Sequence, residues 1–191
     1  VAVGNVDDYK GEQTRIIDAE GLYLTPGLID GHLHSECSKM SITSFAKAVV
    51  PRGTTSIISG LDEYLVVSGL EGLKEVFQEV KQSPLKVFWG APFKTPYTFP
   101  KSTVNFNVTH EVHKEIQQWP ECFGVWETVR EFIQEEDEDV LGAISEAWSN
   151  RLSVFGCAPM ARGKDLNSYL CAGVRLDHES YDHEEVMEKL R

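Results

Sequence analysis

The residues best suited to chemistry sit in one short stretch, Pro26-Gly27-Leu28-Ile29-Asp30-Gly31-His32-Leu33-His34. Side chains at i and i+2 of an extended strand point to the same face, so His32 and His34 can bring two imidazoles to one metal ion at a strand's C-terminal end. Taken alone, two alternating histidines serve equally well without a ligand. His110 and His113 lie three apart on one helical face, but their neighbours Glu111, Lys114 and Glu115 mark a surface helix rather than a metal site.

Positioning two strand-borne imidazoles needs a rigid sheet, and the rest of the chain supplies the pattern for one. Short apolar runs alternate with amphipathic stretches, which predicts βα units on a parallel sheet. Strands are expected at 27–34, 54–59, 85–91, 123–126, 152–156 and 174–178, and helices at 41–50, 69–82, 109–118, 138–149 and 164–172. In the second helix Leu70, Leu73, Val76, Phe77 and Val80 form one apolar face. Asp182 and Glu185 form the D-x-x-E start of a last helix. Residues before Pro26 differ: 15–18 and 21–25 read as two short strands joined by an Ala19-Glu20-Gly21 turn. The acidic run 135–139 reads as a solvated helix start.

Composition narrows the function classes. The chain has 191 residues, 41% of them hydrophobic, with 18 Lys and Arg against 30 Asp and Glu, a net charge of −12. Apolar content on that scale supports a sizeable core and excludes global disorder. The acidic excess argues against nucleic acid or an anionic membrane surface as a partner. Apolar runs such as 64–67 fall far short of the ~20 residues that span a bilayer, and no signal peptide is read near Val1. Cys37, Cys122, Cys157 and Cys171 are widely spaced and read as free thiols in a reducing, cytoplasmic compartment. A start at Val1 and a stop at Arg191 inside a helical pattern suggest a piece of a longer protein.

Several blocks occur in a telling order: His32-Leu-His34-Ser-Glu36-Cys-Ser-Lys-Met40, Ala48-Val-Val-Pro-Arg-Gly-Thr-Thr55, Gly156-Cys-Ala-Pro159, Gly163-Lys-Asp-Leu-Asn-Ser-Tyr169 and Asp177-His-Glu179. The H-x-H after Pro-Gly resembles the metal-dependent amidohydrolase superfamily, and the ordered blocks, over 26–191, resemble its adenine deaminase family. The resemblance implies an α/β fold, an incomplete (β/α)8 TIM barrel at 26–191, with a remnant of a small N-terminal β-sandwich domain at 1–25. It makes His32, His34 and His178 metal ligands and Glu127 the carboxylate bridging two ions. Glu127 is then catalytic, and Glu36 is a further candidate for that role. Two positions depart from the family: Cys157 stands where it has His, and Asp62-Glu63 where it has His-Glu. A thiolate at Cys157 can ligate Zn or Fe, and a buried neutral thiol is the alternative. Asp62 and Glu63 are substrate candidates, or simply solvated. The loop 92–100 either lines a planar base with Phe93, Tyr97 and Phe99 or is a rigid Pro-rich connection.

The implied cofactor is a divalent metal, two ions of Fe, Mn or Zn, and the implied reaction is hydrolytic deamination of adenine to hypoxanthine and ammonia. The family's catalytic Asp belongs to a last barrel strand, beyond residue 191. The expected partner is a small-molecule purine, with no nucleic acid and no membrane; a homo-oligomer is left open. Another cyclic amidohydrolase or purine deaminase, or a non-catalytic relative with a decayed metal site, are the rival readings.

Overall fold

The computed structural model describes residues 2–95 and 105–191. From Leu28 onward the chain alternates strands and helices in the order β1 Leu28–Leu33, α1 Ile42–Val49, β2 Thr54–Ser59, α2 Asp62–Lys81, β3 Lys86–Pro92, α3 His110–Ile116, β4 Cys122–Val129, α4 Arg130–Gln134, α5 Glu138–Ser149, β5 Ser153–Cys157, α6 Gly163–Cys171, β6 Leu176–Asp177 and α7 His183–Lys189. The six strands are parallel and follow sequence order, β1-β2-β3-β4-β5-β6.

That sheet is curled. Five inter-strand spacings of about 4.8 Å would hold the edges of a flat sheet about 24 Å apart. Yet His32, on β1, and His178, directly after β6, stack with ring centroids 3.8 Å apart. Sequential parallel strands with such curvature are the first six units of a (β/α)8 barrel, whose strand C-terminal ends open on one face.

Local signals account for most element boundaries. The Ser41 hydroxyl accepts the Ser44 N–H at the start of α1. The Asp137 carboxylate accepts the Asp139 and Val140 N–H groups at the start of α5, and Asp182 accepts the Glu185 N–H at the start of α7. The helix expected from residue 69 begins earlier. Asp62 and Glu63 fill the first turn of α2, where acidic side chains suit the helix dipole, and the helix breaks at Gly69 with φ 66° and ψ −166°. The apolar stripe from Leu70 belongs to the segment beyond this break. The short helix α4 has no counterpart in the periodicity.

The two strands expected at 15–18 and 21–25 are not formed. Residues 2–27 hold a 3-10 turn at Asp7–Tyr9, and the Leu22 N–H closes the Ala19 turn at 2.8 Å. A lone two-stranded ribbon is marginal without a face to pack on; Ile16, Ile17, Leu22, Tyr23 and Leu24 are accordingly exposed.

Apolar side chains pack between sheet and helices. Leu65, Leu73, Phe77, Trp89 and Ile116 form one cluster, and Val125, Val140, Ile144, Val154, Leu166 and Tyr169 another. Two expectations change here. His113 is fully buried rather than on a surface helix: its Nε2–H donates to the Phe93 carbonyl at 3.1 Å, its Nδ1 accepts from Gln117 at 3.1 Å, and burial lowers its pKa to about 4. Phe93, 1% exposed, packs its ring against Phe132 in the core, so it stabilises the barrel wall instead of offering a face to a ligand. Tyr97 and Phe99 lie outside the described residues.

Candidate metal centre

His32 lies near the end of β1 and His34 one residue beyond it, so their alternation carries both rings to one side. Both meet the same atom. The His32 Nε2 is 2.8 Å and the His34 Nε2 3.0 Å from Oε1 of Glu127, while the His178 Nε2 is 3.6 Å from it. Imidazoles from opposite edges of the curled sheet thus converge on one carboxylate oxygen.

The strand expected at 123–126 extends further, so Glu127 is not at its end. It lies two residues inside β4, where the β4–β5 register slips between Val125 and Thr128. Its φ of 48° is left-handed, which a residue with a side chain adopts at a cost of roughly 1–3 kcal/mol. The strained backbone thus falls at the residue that three histidines surround.

Each ring is oriented by its other contacts. The His178 Nδ1–H donates to the Gly156 carbonyl at 2.8 Å, which leaves the Nε2 lone pair directed at the cluster. His32 lies between two planes: Trp126, at 4.4 Å and 18°, and His178, at 3.8 Å and 19°. The Nδ1 of His34 faces Glu36 Oε1 at 3.5 Å.

Electrostatics follows this geometry. Burial by itself would raise the Glu127 carboxyl, but hydrogen bonds from His32 and His34 outweigh it and bring the pKa down to about 2. Those to Glu127 and then Glu36 raise His34 to about 11. Asp62, 2% exposed, is held well above the usual carboxylate range by burial and by the charges of Glu36 and Glu127.

Among the described residues donor atoms fall into three groups, each within a span of 4.8 Å: His32, His34 and Glu127; Cys157, His178 and Glu179; and His34, Glu36 and Glu63, which shares His34 with the first. Ligand bonds of about 2.1 Å at tetrahedral angles place donor atoms about 3.4 Å apart. The separations of 2.8 to 3.6 Å around Glu127 Oε1 fit a divalent cation. Cys157 joins the second group, with its thiol donating to Glu179 Oε2 at 3.6 Å; burial first, then Glu179, pushes that thiol up to about 12.

Other expected site residues take different places. Glu36 is buried in the turn after β1, where Oε1 accepts the Asp62 N–H at 2.9 Å and Oε2 lies 3.4 and 3.5 Å from the hydroxyls of Ser35 and Ser59. It therefore clamps the end of β1 to the start of α2. Asp62 opens α2 in a buried position rather than a solvated loop, and Glu63 beside it is exposed. Trp126 and Tyr169 lie beside the cluster although the sequence did not single them out. Tyr169 accepts the Cys157 N–H at 2.8 Å and donates to the Thr128 carbonyl, joining β5 to β4 beside the cluster. Glu179 carried a signal, adjacency to His178.

Among the described residues no helix is long and apolar enough to cross a membrane. No protein-family model matches the chain. Curated relatives do. Adenine deaminase 1 of Desulfotalea psychrophila is 80% identical over 191 residues, all of this chain and 32% of that protein. Adenine deaminase 4 of Rhizobium meliloti is 63% identical over the same 191 residues, again 32% of its length. Adenine deaminase 1 of Latilactobacillus sakei is 59% identical over 187 residues, 98% of this chain and 32% of that protein. The chain spans about a third of the length of these relatives.

Proposed function

We propose, from the premise that this chain belongs to the adenine deaminase family and corresponds to about a third of such a protein's length, that the intact protein hydrolyses adenine to hypoxanthine and ammonia. The observation that carries this reading is the convergence of His32, His34 and His178 on Glu127 Oε1. A divalent ion held there would lower the pKa of water to about 7 and so supply a nucleophile at neutral pH.

His32, His34 and Glu127 would hold one ion, and Cys157, His178 and Glu179 a second, with Glu127 between them. A thiolate in the second group favours Zn or Fe over Mn. Glu36 acts through His34, whose ring it orients, and through the N-terminus of α2. Asp62, whose carboxyl is held well above the usual carboxylate range by burial and by the charges of Glu36 and Glu127, is read as a substrate-side group, with Glu63 at the exposed rim beside it. Residues 1–25 are read as one part of a small β-sandwich domain distinct from the barrel at 26–191, which accounts for their exposed apolar side chains. We place the enzyme in the cytoplasm, with a small purine as its partner.

The test is direct. The intact protein, purified with its metal content measured, should convert adenine to hypoxanthine with release of one ammonia per turnover. A metal-replete preparation that leaves adenine unchanged would exclude the reading.

A further inference from the structure

Trp126 precedes Glu127 in β4 and is fully buried. Glycines just past β2 and within β3 make room for it. A methyl group at Gly60, just past β2, would lie 2.5 Å from its Cδ1, and one at Gly90, in β3, would lie 2.6 Å from its Cε3. The indole Nε1 finds no hydrogen-bond partner among the described residues. A buried N–H without a partner is unfavourable, so no polar contact of the ring explains its placement. What the ring does offer is a face: it stacks on His32 at 4.4 Å and meets His34 edge-on at 6.2 Å.

We infer that Trp126 is a positioning residue of the metal centre, an indole wall that fixes the plane of His32 and, through the His32–His178 stack, the plane of His178. The inference rests on the metal-centre reading above. An imidazole can rotate about χ2 over a broad range. A metal bond tolerates little rotation, because the lone pair lies in the ring plane. Stacked between Trp126 and His178, at interplanar angles of 18° and 19°, His32 keeps its Nε2 aimed at Glu127 Oε1 without a hydrogen bond to its other nitrogen being required. Gly60 and Gly90 are then part of the device, since either with a side chain would displace the wall.

Trp89 supplies the control. It is equally buried, but its rings meet Phe77 and Trp119, and its Nε1 donates to the Gly60 carbonyl. In the intact protein stripped with a chelator, zinc titration should show Trp126→Leu binding roughly 10- to 100-fold more weakly than the native protein, the loss typical of groups that orient ligands. Trp126→Phe, which keeps an aromatic face, should recover most of the affinity, and Trp89→Leu should bind within threefold of native. Should Trp126→Leu fail to fold, tryptophan emission gives a second reading: the change on zinc uptake should vanish in Trp126→Phe and persist in Trp89→Phe. Equal losses in the Trp126→Leu and Trp89→Leu variants, native-like zinc binding by Trp126→Leu, or an emission change untouched by Trp126→Phe would overturn the inference alone. A native protein that takes up no zinc, iron or manganese would overturn the metal centre and this inference with it.

Discussion

Replacing Glu127 by Gln isolates the charge at the centre of the cluster. The side chain keeps its shape and an oxygen that can still accept, so the bonds from His32 and His34 at 2.8 and 3.0 Å remain possible but lose charge assistance. A hydrogen bond to a charged group contributes roughly 1.5–3 kcal/mol and a neutral one roughly 0.5–1.5, so two bonds together should lose about 2–3 kcal/mol. For a domain of this size that corresponds to roughly 5–10 °C in Tm. The assay is thermal unfolding of the chelated protein across pH. Glu127 titrates near 2 instead of its ordinary 4.5, so its contribution is complete above 4.5 and disappears as pH falls through 2. His34 titrates near 11 instead of 6.5, so its share is complete below 6.5 and disappears as pH rises through 11. The gap between native and Glu127→Gln should therefore be widest between pH 4.5 and 6.5 and close near pH 2. Curves that coincide at pH 5.5, or a gap that persists at pH 2, would refute the assignment of this charge pair.

Three further outcomes are expected. Tyr169→Phe leaves the Cys157 N–H and the Thr128 carbonyl without their shared hydroxyl and should cost about 1–3 kcal/mol in denaturant unfolding, more than a surface Tyr→Phe change. Phe93→Ala should cost about 3–5 kcal/mol, the range for emptying an aromatic core site, while leaving the KM for adenine near native; a raised KM at full stability would restore Phe93 to the substrate. In the chelated protein the Cys157 thiol, titrating near 12, should be alkylated at pH 8 roughly two orders of magnitude more slowly than a free thiol of pKa ~8.5, the scarcity of thiolate being partly offset by its greater nucleophilicity, as read by peptide mass mapping.

How much of this could be read in advance differs by element. Strand β2 and helix α5 stand out because a β-branched run and a clean 3.6-residue stripe specify them locally. The start of α2 does not: Asp62 and Glu63 interrupt the apolar stripe, and only the fold buries Asp62. His32 and His34 were legible because a period of two is a local property, whereas their meeting with His178 depends on sheet curvature that no window of sequence encodes. Glu127 was legible as a carboxylate next to the strand expected at 123–126, but its left-handed backbone was not, since no glycine or asparagine announces it. Trp126 was hidden for a related reason: an isolated aromatic in a strand looks like core, and the glycines that admit it lie far away in sequence, just past β2 and in β3. Phe93 misled in the opposite sense, because a Pro-rich loop with aromatics resembles a ligand rim while its first ring turns inward.

The meeting of β1 with β4 also sets a clock on biosynthesis. His34 and Glu127 are 93 residues apart in the chain. At roughly 5–20 residues per second, the ribosome needs about 5–20 s between delivering the histidine and delivering the carboxylate. If His32 and His34 are metal ligands as proposed, the H-x-H pair, once clear of the ribosome, would wait on an unclosed sheet for its carboxylate and could take up copper, which nitrogen donors bind more tightly than zinc, iron or manganese. Loading of the proposed centre would then depend on exchange after closure, or on a cellular supply in which copper is scarce while the barrel is still emerging.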